Sequence, residues 1–187
     1  MQNKLLLHIC CGCCAGAVIE KLREKGFDVV AFFYNPNIYP KEEYIKRKEA
    51  VMTILEKYSV GYFEGFVDEI YDEENEKWIF NMSELKLDKE PESGKRCNVC
   101  FEERLRKTAE AAETLGISYF ASTLTVSPHK NAGVINSIGE KIAAENGLKF
   151  VSEDFKRENG FQKAMSIARG CGIYRQNYCG CRFSIRN

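Results

Sequence analysis

The chain is poor in histidine and proline and carries no net charge. It has two histidines and four prolines, and 27 basic side chains balance 27 acidic ones over 187 residues. Neutrality excludes the basic footprint of a protein that binds nucleic acid over its whole surface. His8 and His129 leave little imidazole for acid–base or metal chemistry. His8 closes an apolar run, where a histidine belongs to the core or supports a ligand rather than being one. No apolar run reaches the length of a membrane span. Lys4 to Ile9 is too short for a secretory signal and lacks a small-residue cleavage site. No Walker or dinucleotide glycine loop is present. No Ser-Gly-Gly pyrophosphate loop, internal repeat or low-complexity segment is visible either.

A chain of this length buries a core without disulfide staples, so a small secreted scaffold is a poor description of it. The expectation is one domain over residues 1–187, cytoplasmic, with reduced thiols and no membrane partner. In that setting clustered cysteines read as metal ligands or redox groups.

Cysteine is what the chain does have. Cys10, Cys11, Cys13 and Cys14 form one cluster, Cys97 and Cys100 a CxxC, and Cys179 and Cys181 a CxC, with Cys171 alone. The first two clusters fall at expected helix starts, where the dipole and free N–H groups should lower thiol pKa. Cys10, Cys11, Cys97 and Cys100 offer four sulfurs from two loops, which suits a structural zinc or a cubane iron–sulfur cluster. Adjacent Cys10-Cys11 is not the usual zinc knuckle, and Cys14, Cys179 and Cys181 remain after four thiols are used. The surplus points to a second metal or a redox pair. Cys179-Gly180-Cys181 reads either as a strained, labile disulfide or as two more ligands. Cys13 and Cys171 read as small buried hydrophobes.

Charge is unevenly placed. Residues 64–92 hold eleven acids against three lysines, and residues 156–187 hold seven bases against one acid. A basic tail carrying the third cysteine cluster suggests an anionic substrate. Within it, Tyr174-Arg175-Gln176-Asn177-Tyr178 suits stacking and hydrogen bonding to a nucleobase splayed out of RNA.

Apolar strand patterns at Lys4–Ile9, Asp28–Tyr34, Gly61–Phe66, Ser118–Thr125 and Leu148–Ser152 alternate with helical patterns. The helices are expected at Ala15–Lys25, Lys41–Tyr58, Asp68–Met82, Val99–Leu115, Asn131–Asn146 and Gly160–Arg169, with loop at Ser83–Arg96 and an irregular tail from Ile173. The alternation predicts an α/β fold, a parallel sheet with helices on both faces. An acidic helical insertion covers about 67–96 and a basic, cysteine-containing tail about 170–187. The first cysteine cluster follows strand one, where such sheets place their sites.

Several stretches together resemble the QueH family of epoxyqueuosine reductases. They are Leu5-Leu6-Leu7-His8-Ile9-Cys10-Cys11, Phe32-Phe33-Tyr34-Asn35-Pro36-Asn37-Ile38-Tyr39-Pro40, Arg96-Cys97 through Cys100, Thr123-Leu124-Thr125-Val126-Ser127-Pro128, Asp154-Phe155-Lys156, and Tyr174 through Cys181. Where the family usually has Ala-Pro between the motif cysteines, this chain has Gly12-Cys13, which leaves Cys14 as the motif cysteine. The resemblance implies a fold like the adenine nucleotide alpha-hydrolase (HUP) superfamily. It also implies deoxygenation of epoxyqueuosine to queuosine at the tRNA wobble position, in the anticodon loop. A [4Fe-4S] cluster on Cys10, Cys11, Cys97 and Cys100 is implied, with no cobalamin and an unidentified electron donor. Cys179 and Cys181 are then a redox pair or ligands of an additional iron, with Cys14 and Asp154 as lesser candidates for that metal. Tyr34, Asn35, Tyr174, Arg175, Gln176 and Tyr178 are candidate substrate contacts. The rival readings are a tRNA sulfurtransferase-like enzyme and a non-enzymatic zinc protein that binds RNA.

Overall fold

The computed structural model describes residues 3–185. Strand β1 (Asn3–His8) leads into helix α1 (Gly12–Glu24), then β2 (Phe27–Phe33), α2 (Lys41–Tyr58) and β3 (Gly61–Glu64). Two helices, α3 (Tyr71–Glu84) and α4 (Lys95–Thr114), lead to β4 (Tyr119–Ser122). Helix α5 (Ala132–Glu145), β5 (Lys149–Phe150) and α6 (Gly160–Gly170) complete the regular structure. The five strands are all parallel, in the order β3-β2-β1-β4-β5.

Leu5, Leu6 and Leu7 are fully buried in succession. Consecutive burial without alternation marks a strand covered on both faces. Helix α1 packs on α2 and α6, and α4 packs on α5, giving two helical layers. Gly26 ends α1 at φ +86°, a conformation open to glycine, and lets β2 start at once. A smaller apolar cluster of Trp78, Met82, Cys100 and Cys181 joins α3, α4 and the tail. Among the described residues no helix is long and apolar enough to cross a membrane.

The differences from expectation lie at element ends. Helix α1 begins at Gly12 rather than Ala15, so Cys13 and Cys14 sit in its first turn. Helix α4 begins at Lys95, two residues before the CxxC, rather than at Val99 within it. The strand expected to reach Thr125 stops at Ser122 and passes into a short 3-10 turn, Thr123–Val126. Ser122 causes that stop, because its Oγ accepts the Leu124 N–H at 3.2 Å and turns the chain. The last strand shrinks to Lys149–Phe150.

Connections from β1 run to one side of the sheet through β2 and β3, while β4 and β5 lie on the other side. The loops leaving β1 and β4 therefore diverge and open a crevice between them. His8 ties the two strand ends. Its Nε2 faces the Tyr34 carbonyl at 3.1 Å, an acceptor only, so Nε2 carries the proton and Nδ1 accepts from Ser122 Oγ at 3.0 Å. Burial, then the Arg104 charge, pushes the His8 pKa down to about 3, so the ring stays neutral.

Replacing Ser122 with Ala leaves both His8 Nδ1 and the Leu124 N–H without a partner in the core. The expected loss is about 1–3 kcal/mol of unfolding free energy in a urea titration. An unchanged midpoint would show that Ser122 does not hold the crevice.

Candidate active site at the sheet switch point

A cavity of about 920 Å³ fills the crevice. Its thiol lining comes from both ends of the chain: Cys10, Cys11, Cys13 and Cys14 after β1, and Cys179 from the tail. Arg47, Arg104, Lys130 and Arg175 bring positive charge to the same wall, with Glu92 the carboxylate among the lining residues. Leu124, Pro128, Phe161 and Met165 add an apolar side.

Buried side chains of α2 hold the tail in place. Arg47, only 2% exposed, pairs through Nε with Glu43 at 2.7 Å. Its Nη1 and Nη2 donate to the carbonyls of Cys179 at 3.0 Å and Tyr178 at 3.1 Å. Tyr174 Oη donates to the other Glu43 oxygen at 2.6 Å. The guanidinium also lies 5.3 Å from the Tyr178 ring centroid. Gly180 sits at φ +102°, and a Cβ there would fall 2.7 Å from Arg47 Nη1. Only glycine satisfies both conditions. The tail then adds an antiparallel bridge between Cys181 and Ile38, with Tyr39 N–H donating to Gly180 O at 2.8 Å.

All nine cysteines are free thiols. Cys10 and Cys11 sulfurs are 3.8 Å apart, and Cys10 Sγ lies 3.7 Å from Thr123 Oγ1. Gln176 Nε2 donates to Cys11 Sγ at 2.9 Å, and the Ser93 N–H donates to Cys97 Sγ at 3.2 Å. Cys97, Cys100 and Cys181 lie close enough to Cys179 for its charge to raise the pKa of each. The tail's CxC thus stands beside the CxxC, and Cys10, Cys11 and Cys14 form the facing group. Among the described residues no three thiols, imidazoles or carboxylates are gathered tightly enough to hold one metal ion.

The expected lowering of thiol pKa at the helix starts is reversed. Burial is the leading cause of upward shifts at Cys97, at Cys100 (to about 12) and at Cys181 (to about 11). Cys10 is raised well above the ordinary thiol value by its contact with Cys11 and by burial. At Cys11 the Cys10 contact pulls the pKa down, but Cys14 and burial carry it up to about 12. Desolvation of a fully enclosed thiolate outweighs a helix dipole.

Two features of the site fit a thiolate-bound metal group. Soft sulfur donors suit zinc or iron–sulfur centres. Arg104 is 3% exposed, lines the cavity, and has an Nη2 without any hydrogen-bond partner. A buried guanidinium with one nitrogen left unpaired suits an anion placed against it.

Of the candidate substrate contacts, Arg175, Gln176 and Tyr178 line the cavity. Tyr34 does not. It is 4% exposed, with its ring against Phe32 and Phe66. Asn35 is buried beneath the loop and donates to Ile9 O at 2.9 Å. Tyr174 lies outside the lining, its hydroxyl engaged by Glu43. Asp154 lies outside it too, paired with Lys156 at 3.1 Å and Arg157 at 3.4 Å. Cys13 fastens the tail, its thiol donating to Tyr174 O at 3.3 Å. Cys171 is remote and accepts from Lys57 Nζ at 3.4 Å. Sequence reasoning missed Arg47, Arg104 and Lys130. The available signal was an Arg four residues after Glu43, and another four after Cys100 on the CxxC helix.

Residues 5–187 match the family model described as epoxyqueuosine reductase QueH. Among curated relatives bearing that name, the Thermotoga maritima protein is 38% identical over 98% of this chain and 91% of its own length. The Streptococcus pyogenes protein is 37% identical over 100% of this chain and 72% of its own. The Haemophilus influenzae protein is also 37% identical, over 100% and 73%.

Replacing Arg47 with Met removes three anchors of the tail and strands Glu43 as a buried charge, a change that typically costs about 3–5 kcal/mol. Hydrogen exchange should accelerate across residues 174–181 while β1 and α1 stay protected. Equal exchange in the tail of both proteins would show that Arg47 does not position Cys179.

Proposed function

The chain belongs to the epoxyqueuosine reductase QueH family, and from that premise we propose that it removes the epoxide oxygen of epoxyqueuosine in tRNA, giving queuosine. The observation that carries this reading is the single cavity lined by thiols from the β1 loop and the tail, with the CxxC beside it. The reaction adds two electrons and two protons, breaks both carbon–oxygen bonds of the epoxide, forms a carbon–carbon double bond between its two carbons, and releases the oxygen as water. An oxidoreductase is required, together with an electron donor outside the chain.

Cys10, Cys11, Cys97 and Cys100 are the proposed holders of a [4Fe-4S] cluster. Cys14, Cys179 and Cys181, with Asp154 as an outlying carboxylate, are proposed for an additional iron, or Cys179 and Cys181 for a dithiol pair. Bound there, such a group supplies low-potential electrons and a Lewis acid for the epoxide oxygen; cobalamin has no place in this reading. The protein's own side chains do the rest. Exposed Arg175 and Arg182 in the tail suit the phosphates of an anticodon loop. Phe161, Met165, Leu124 and Pro128 offer an apolar wall for the base. Tyr178 lines the cavity and is the candidate for stacking, while Tyr34 is too deep.

The test begins with anaerobic purification and counts of iron, zinc and sulfide per chain. It continues with an assay on epoxyqueuosine-containing tRNA under a strong reductant. More than about four irons per chain and formation of queuosine are expected. Cys179→Ser should lower both iron content and turnover. A colourless protein holding about one zinc after attempted cluster reconstitution would refute the reductase and favour a zinc protein that binds RNA.

A further inference from the structure

Arg104 stands at the meeting point of the three cysteine clusters. It lines the cavity together with Cys10 and Cys179, and it stands one helical turn after Cys100 on α4. Its Nε donates to Cys100 O at 3.1 Å, and Thr108 Oγ1 donates to Arg104 O at 2.7 Å. The group is therefore anchored along α4 and lies 5.8 Å from the Phe101 ring centroid. Its Nη2 is buried without a hydrogen-bond partner, and the residue lines the cavity. The neighbouring acid, Glu103, instead receives the Tyr34 hydroxyl at 3.4 Å. A guanidinium keeps its proton in any protein environment, so this charge cannot be relieved by deprotonation.

We propose that Arg104 is the fixed counter-charge of the thiolate-bound group and sets its reduction potential. The inference rests on the cluster reading above and adds a role for a residue of this chain. A cubane held by four thiolates is an anion, and each electron it accepts adds negative charge. Net charge and hydrogen bonds to the sulfurs govern its potential. A permanent cation lining the cavity stabilises the reduced state more than the oxidised one. The potential then stays within reach of a donor that a bare tetrathiolate cluster would defeat. Lys130 lines the same cavity and adds a second positive charge there, but only Arg104 is held by a hydrogen bond to a carbonyl of the CxxC, that of Cys100.

The experiment is a redox titration of the cluster-loaded protein, followed by visible absorbance, with iron counted in every sample. Arg104→Met should shift the midpoint potential to more negative values at unchanged iron content. Arg106→Met removes the same charge two residues away on the outer face of α4, where Arg106 pairs with Glu102 and Glu145. That variant should titrate like wild type. Should Arg104→Met fail to hold a cluster, Arg104→Lys and Arg104→Gln carry the test, and the Lys protein should lie above the Gln protein. Equal potentials in wild type and Arg104→Met overturn the proposal. So do equal potentials in the Lys and Gln proteins, or an equal shift in Arg106→Met. A wild-type protein that takes up no iron and sulfide refutes the cluster reading itself, before Arg104 is at issue.

Discussion

Burial away from water works against the thiolate at Cys10, Cys11, Cys97, Cys100 and Cys181, and the surrounding structure is organised around supplying positive charge. Cys10, Cys11, Cys100 and Cys181 are all pushed toward the neutral thiol. Metal chemistry needs the thiolate. The protein meets that conflict with cations rather than with water: Arg47, Arg104, Lys130 and Arg175 share one cavity. Arg47 is the one with a buried carboxylate partner, Glu43, and its work is mechanical. Arg104 has the Glu103 carboxylate as its neighbour along α4, but its Nη2 has no hydrogen-bond partner.

The sheet order converts sequence distance into proximity. Cys10, Cys97 and Cys179 are far apart along the chain, yet each is delivered to one end of the sheet. The first follows β1, the second opens α4 before β4, and the third returns on a tail strapped to α2. The reversal between β1 and β4 leaves room there, because adjacent loops turn away from one another. His8 and Ser122 keep those two strand ends in register with neutral hydrogen bonds, so no further charge enters the floor of the crevice.

Much of this was legible in the sequence. Leu5-Leu6-Leu7 announces a strand buried on both faces, and the strand–helix alternation fixes a parallel sheet. The cysteine clusters mark the site, since sulfur at such spacings has few other uses in a chain this long. What stayed hidden depends on tertiary burial. Arg47 and Arg104 sit in charged helical runs that read as solvated faces, and only packing shows that each is enclosed. The thiol pKa direction follows the dipole if the helix start is exposed, and follows desolvation if it is not. Tyr34 reads as an aromatic near the site, but Gly65 and Phe66 close over its ring. Ser122 ends β4 through one side-chain hydrogen bond that no apolar pattern reveals.

The tail joins two tasks that are often separate. Gln176 hydrogen-bonds the Cys11 sulfur, Cys179 faces the cavity, and Cys181 is buried against Trp78 and Cys100. Arg175 and Arg182, on either side of them, are the exposed positive groups of the same segment. A polyanion seated on those arginines would restrain the backbone that positions the sulfurs. The segment is irregular and lies outside the sheet, so its order rests on Arg47, Glu43 and a few backbone bonds. Restraint from a phosphate backbone bound there would act directly on thiol geometry, whereas the β1 loop is held by the sheet. On the proposed reading, substrate binding and assembly of the reactive centre would be coupled through residues 174–182.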